Sequence, residues 1–248
     1  MTNPRPAPPR ARAWWFGAAA VAIAAAAALV LARSPDGPAP APVPDTERPR
    51  LLLLTSLPLL FGETLSLDGG GSAALTALEA RYRVVPIAVA NRAALGADRL
   101  LLMAHPLAQP AEVLVELDAW VRRGGRVLLL ADPLLEWPSA LPLGDKRRPP
   151  PSFADTGLLG HWGLRLDAPD ERGPKQGAIG GKTVITVSAG TLAGRCAVDT
   201  GGLVARCRVG KGAATIVADA DFLNVADLDG ATEDNLPALL GELSRLER

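Results

Sequence analysis

The sequence is short of the residues that most often do chemistry. Its 248 residues include two cysteines, two histidines and two methionines, and only 4% are aromatic. There is no CxxC pair, which excludes a thioredoxin-type redox motif. There is no GxSxG or GxCxG, so the strand-to-helix elbow that exposes a nucleophile is missing. Glycine runs at 69–71 and 210–212 lack the GxxxxGK[ST] or GxGxxG surroundings of a phosphate cradle. A surplus of charge is missing too. The 26 basic residues are balanced by 26 acidic ones, whereas a general nucleic-acid binder needs excess basic charge to displace counterions. No nucleic-acid partner, no cofactor and no metal are expected, and no internal repeat is visible.

The neutrality conceals an uneven distribution. Residues 14–32, WWFGAAAVAIAAAAALVLA, carry no charge. As a helix they would extend about 28 Å, close to the hydrocarbon core of a bilayer. Arg5, Arg10 and Arg12 precede them with no acid between, so the positive-inside rule keeps residues 1–13 cytoplasmic. The alternative is a cleaved signal peptide ending at Val30-Leu31-Ala32. Against it, the apolar run exceeds the roughly 7–15 residues of a signal-peptide core. Residues 33–49 are Pro-rich and suit an extended spacer rather than a packed core. The division expected is therefore a tail (1–13), a transmembrane anchor (14–32), a linker (33–49) and a folded domain (50–248). Beyond residue 50 the chain holds 20 basic and 23 acidic residues, a net charge of −3.

The folded part reads as α/β. Apolar runs at 50–56, 99–104, 126–131 and 212–218 suit strands buried on both faces. A run at 82–87 suits a second strand, with Pro86 marking an edge or a strand end because it cannot donate to a ladder. Helix-like residues 73–81 lie between the first two runs. Val113, Leu114, Leu117, Trp120 and Val121 form one helical face, with Pro110 able to occupy the first turn and Gly124-Gly125 ending it. This alternation predicts a parallel sheet with right-handed crossovers. A short helix is expected within 153–162. Segments 183–188, 194–198 and 203–209 read as antiparallel strands, and 236–246 as a terminal amphipathic helix.

If Gly201-Gly202 forms a two-residue turn, Cys196 and Cys207 face each other across the hairpin, within disulfide reach. The other reading is two buried thiols. Ligands of open parallel sheets bind beyond the C-terminal strand ends. Polar residues stand there: Thr55, Ser56, His105, Asp132, Asp219 and Asp221. They are candidates for a ligand crevice, although Asp and Ser at strand ends commonly cap helices or make turns. His161 reads as a packing or surface residue.

Two stretches resemble a known family. They are LLLMAHPLAQPAEVLVELDAWVRRGGRVLLLADP (100–133) and GKGAATIVADADFLN (210–224). Together they resemble the extracytoplasmic domain of the gliding-motility-type auxiliary component of ABC transporters. The resemblance implies a flavodoxin-like, class I glutamine-amidotransferase-like three-layer sandwich with a β-hairpin insertion. It implies no catalytic residue, since Asp132-Pro133 stands where amidotransferases carry their cysteine elbow. The expectation is a non-catalytic scaffolding subunit, anchored in a bacterial inner membrane with its domain in the periplasm, partnered by an ABC permease and ATPase. The alternative is an envelope hydrolase or amidotransferase-like enzyme using Ser56, His105 and Asp132.

Overall fold

The computed structural model describes residues 48–61 and 71–248. The predicted tail (1–13), anchor (14–32) and most of the linker lie outside the described residues. Among the described residues, no helix is long and apolar enough to cross a membrane.

Five strands run parallel: β1 (Arg50–Thr55), β2 (Arg83–Pro86), β3 (Leu100–Ala104), β4 (Arg126–Leu130) and β11 (Gly212–Val217). Their order is β2-β1-β3-β4-β11. Two antiparallel strands extend the sheet beyond β11: β10 (Val204–Val209), then the short edge strand β9 (Ala197–Val198). The apolar runs explain the centre. Leu51–Leu54, Leu100–Ala104 and Val127–Leu130 are buried residue after residue, as a sheet covered on both faces requires. One row of neighbours runs Leu52, Leu101, Val127, Ala214, Cys207 across five strands. Pro86 ends β2 at the opposite sheet edge, where a missing N–H costs no ladder bond.

The helices cover the sheet. α1 (Ala73–Glu79) joins β1 to β2, and α2 (Arg92–Leu95) joins β2 to β3. α3 (Ala111–Arg122) joins β3 to β4. The chain leaves β1 toward one edge and β3 toward the other. Right-handed crossovers therefore set α1 and α3 on opposite faces. The terminal helix α5 (Asn235–Glu247) packs beside α1 and against β4 and β11, while α3 packs beside α2. Pro110 sits one position earlier than expected, as the residue preceding α3, where its missing N–H is still harmless. Gly212 opens β11 with no room for a side chain, since a Cβ would lie 2.1 Å from the Val121 carbonyl oxygen.

Between β4 and β9 the chain builds two further two-stranded sheets. β5 (Leu164–Asp167) pairs with β8 (Thr191–Gly194), and β6 (Pro174–Ile179) forms a hairpin with β7 (Lys182–Val187). The helix expected within 153–162 is only α4, Leu158–His161. The strand expected at 194–198 is divided between β8 and β9. Cys196 and Cys207 form a disulfide with Cα atoms 4.8 Å apart. The adjacent pair is Ala197 with Arg206. The connecting loop is longer than a two-residue turn. Asp199 and Val204 are its last bonded pair, and Gly202 N closes onto Asp199 O at 3.0 Å.

Candidate functional site

Three aspartates converge where β4 and β11 end. Asp132 and Asp219 each follow a strand by two residues, and Asp221 opens a single 3-10 turn, Asp221–Leu223. All three are buried. Asp132 Oδ1 accepts the Leu134 amide at 2.9 Å, and its Oδ2 accepts the Ala220 amide at 2.8 Å. Asp219 Oδ1 accepts from Phe222 N at 2.8 Å, and Oδ2 from Val187 N at 2.9 Å. Both carboxyls thus spend both oxygens on tying strand ends and turns together. Asp221 is differently placed: its Oδ2 accepts the Glu136 amide at 2.8 Å.

Burial dominates their titration, because a low-dielectric interior disfavours the charged form. It raises Asp132 to about 6, against three backbone amides that favour the anion. Burial and the neighbouring Asp132 raise Asp221 to about 7. Asp219 is pushed well above the carboxylate range by burial, then by Asp132 and Asp221.

Glu136 lies beside this cluster with the opposite tendency. The Ser188 hydroxyl donates to its Oε1 at 2.7 Å, and Arg172 Nε lies 3.1 Å from the same oxygen. The serine, then the arginine, hold Glu136 below its ordinary value. Ser188 follows β7 directly with φ 50°; it and His105 (φ 45°) are the non-glycine residues with positive φ among those described. Such a backbone conformation costs energy in an L-residue and gathers at functional sites. Ser188 is fixed further by accepting the Gly173 amide at 2.9 Å. It borders a cavity of about 460 Å³, between the β6–β7 hairpin and the loop joining β9 to β10. Gln176, Thr186, Thr191 and Asp199 also face this space, and Asp199 Oδ1 is buried without a hydrogen-bond partner.

The other candidates from the sequence are placed apart in role. Thr55 Oγ1 donates to Ala104 O at 2.8 Å, and Ser56 Oγ donates to the His105 carbonyl. The His105 ring is buried; its Nε2 donates to Pro150 O at 2.8 Å, and Nδ1 has no partner. Burial lowers its pKa, so the ring is neutral. The alternative serine–histidine–aspartate arrangement of Ser56, His105 and Asp132 is therefore not built, because each side chain bonds to backbone instead. Among the described residues, no group of three His, Cys, Asp or Glu is arranged to hold a metal ion. His161 is exposed, 3.4 Å from Asp118. Sequence reasoning missed Glu136 and Ser188. The strained Ser188 backbone is invisible in sequence, and Glu136 stands in a loop without a motif.

No known protein family and no curated protein matches this chain. Solved structures do. A cytoplasmic protein from Salmonella typhimurium LT2 matches 79% of this chain and 99% of its own, with 10% identity and a TM-score of 0.51. An exo-β-1,4-mannosidase from Opitutaceae bacterium strain TAV5 matches 81% of this chain with 14% identity and a TM-score of 0.48. A GH42 β-galactosidase matches 81% with 12% identity and a TM-score of 0.47. This chain spans only 36% and 30% of those two enzymes. The Salmonella likeness, at a TM-score of 0.51, agrees with the α/β fold and its mostly parallel central sheet. The expectation of a non-catalytic ABC auxiliary subunit is corrected: the matching structures named are glycoside hydrolases and a cytoplasmic protein.

Proposed function

We propose that residues 50–248 form a hydrolase domain of flavodoxin-like, class I amidotransferase-like architecture, with a paired-carboxylate site at the strand ends. The parallel order β2-β1-β3-β4-β11 supports that architecture, being the flavodoxin-type winding. The observation that carries the activity is the contrast between Asp221 and Glu136. The Glu136 backbone amide donates to Asp221 Oδ2, yet burial pushes Asp221 up to about 7 while Ser188 and Arg172 hold Glu136 below its ordinary value. Neighbouring carboxyls with pKa values pushed apart are the arrangement that assigns an acid and a base.

In this reading Asp221 holds the proton near neutral pH and delivers it to a leaving-group oxygen. Glu136, kept anionic by Ser188 and Arg172, stabilises positive charge that develops opposite. Cleavage of a glycosidic bond makes both demands. The cavity beside Ser188 supplies hydroxyl, amide and carboxylate groups suited to a polyol. The disulfide Cys196–Cys207 supports an extracytoplasmic setting, since such bonds persist in oxidising compartments.

The test is turnover of a panel of nitrophenyl glycosides and esters by the full chain and by Asp221→Asn. Asparagine keeps an acceptor for the Glu136 amide but carries no titratable proton. The expected loss is about 10²–10⁴-fold, the usual contribution of a positioned proton donor. No turnover by the wild-type chain, or equal turnover by both, ends the proposal.

A further inference from the structure

A second concavity lies at the other pole of the sheet. Arg126 opens β4 and Gly212 opens β11, so this groove sits at the N-terminal strand ends, away from the aspartates. Its volume is about 820 Å³. Seven basic side chains and no acidic one line it. Residues 51–248 hold 20 basic residues in all against 23 acidic. The groove therefore concentrates cations from a chain whose remainder is strongly acidic.

Two of the seven are already committed. Arg206 on β10 donates twice to the buried Glu242, and Arg245 Nε lies 3.5 Å from the same carboxylate. One carboxylate thus serves two guanidinium groups and neutralises only one charge. Arg208, Lys211, Arg195, Arg126 and Arg248 have no acidic partner within 4 Å among the described residues. Arg206 and Arg208 project from the same face of β10, two residues apart. Lys211 stands in the turn after them, and its amide is fixed to Arg122 O at 2.9 Å. Arg195 precedes the bridged Cys196, so the disulfide anchors the segment that carries it. Like charges held this close repel one another unless a counter-charge enters. Guanidinium forks match phosphate oxygens in pairs, and lysine adds a point charge. The concavity suits a bounded ligand that reaches inward rather than the flat surface of a bilayer.

We propose that this groove binds a small molecule bearing several phosphate groups. The site is separate from the paired carboxylates and does not depend on their activity.

The probe is inorganic tripolyphosphate, titrated into the full chain by calorimetry, with Trp162 in the groove wall as a fluorescent reporter. One saturable event that weakens as salt is added is expected. Arg208→Glu and Lys211→Glu should each weaken binding by about tenfold or more, as reversed charges at a multidentate phosphate site. Arg208→Lys should lose a smaller factor, keeping charge but not the fork. Arg195→Ala gives an independent readout without charge reversal and should also bind more weakly. Arg83→Glu, exposed on the distant strand β2, should change nothing. Absence of saturable binding at low salt overturns the proposal, as does equal binding by the groove variants. Binding to phosphatidylglycerol vesicles without binding to tripolyphosphate also overturns it, by making the patch a membrane contact. Loss of glycoside turnover in Asp221→Asn with tripolyphosphate binding intact would separate the two sites.

Discussion

Ser188 Oγ donates to Glu136 Oε1 at 2.7 Å although 52 residues separate them in the chain. The bond joins the end of β7 to the loop after β4, and it is the largest influence holding Glu136 ionised. Replacing Ser188 by alanine removes it. The Glu136 pKa should then rise, and the acidic limb of any pH–activity profile should move upward. A carboxyl titration followed by NMR checks this directly; an unmoved Glu136 resonance would deny the serine its role.

The same position separates contact from strain. Ser188→Gly loses the hydroxyl as alanine does, but glycine adopts φ 50° freely. Ser188→Gly should therefore be more stable than Ser188→Ala, by on the order of 1 kcal/mol, the low end of the cost of such backbone strain. Urea unfolding of the pair decides it. Equal midpoints would mean the backbone stores no strain there.

Asp219 and Asp221 should respond differently to amidation. Asp219 uses both oxygens as acceptors, for Val187 N and Phe222 N. Asparagine would turn an N–H donor toward one of those amides. Asp219→Asn should cost about 1–3 kcal/mol, the penalty for a buried group left unsatisfied. In Asp221 the Glu136 amide is the backbone partner, and asparagine can still accept from it. Asp221→Asn should keep near-wild-type stability. A reversed order in thermal melts would contradict the division into structural and reactive carboxyls.

The strand ends were partly legible in the sequence. Apolar runs such as Leu51–Leu54 reveal strands because a sheet buried on both faces accepts little else. The polar residue that ends such a run is then visible as a C-terminal strand end, as with Asp132 and Asp219. β5 and β6 gave no such signal. β6 begins with Pro174 and is mostly exposed, so no core imposes a pattern on it. The site was legible only where it lies on the sheet. Glu136 and Ser188 come from a loop and an outer hairpin, and only tertiary packing brings them together. Ser56, His105 and Asp132 looked like a triad because all three follow strands, yet strand-end position does not decide where a side chain bonds.

Stability should fall as pH rises from about 4 to about 7. Asp132 titrates at about 6 and Asp221 at about 7 in the fold, against 3.8 for an ordinary aspartate. Between these values the folded chain binds more protons than the unfolded one. The stability gained from their protonated forms is fully present below about pH 4 and is lost as pH rises through 6 to 7. The lowered Glu136 acts in the opposite direction, but it is more exposed and contributes less. The expected loss between pH 5 and 8 is on the order of a few kcal/mol. Asp221→Asn should flatten the slope. Denaturant midpoints that rise steadily over that range would rule out buried, protonated aspartates.

Reduction should act locally before it acts globally. The disulfide closes 11 residues around the two-residue edge strand β9, which has only β10 as a sheet neighbour. Without the bond, β9 retains two pairings, Val198 with Ala205 and Ala197 with Arg206. So short an edge strand cannot hold itself in place. The chain-entropy cost of opening a loop of this size is about 2–4 kcal/mol. That corresponds to a fall in Tm of roughly 5–15 °C for a domain of this size. Hydrogen exchange should show amides of residues 195–205 opening first, while those of β3 and β4 keep their protection. Cys196→Ala with Cys207→Ala should reproduce the reduced state without reductant. If Tm is unchanged in both, the edge strand is held by packing alone and the bridge adds nothing to the fold.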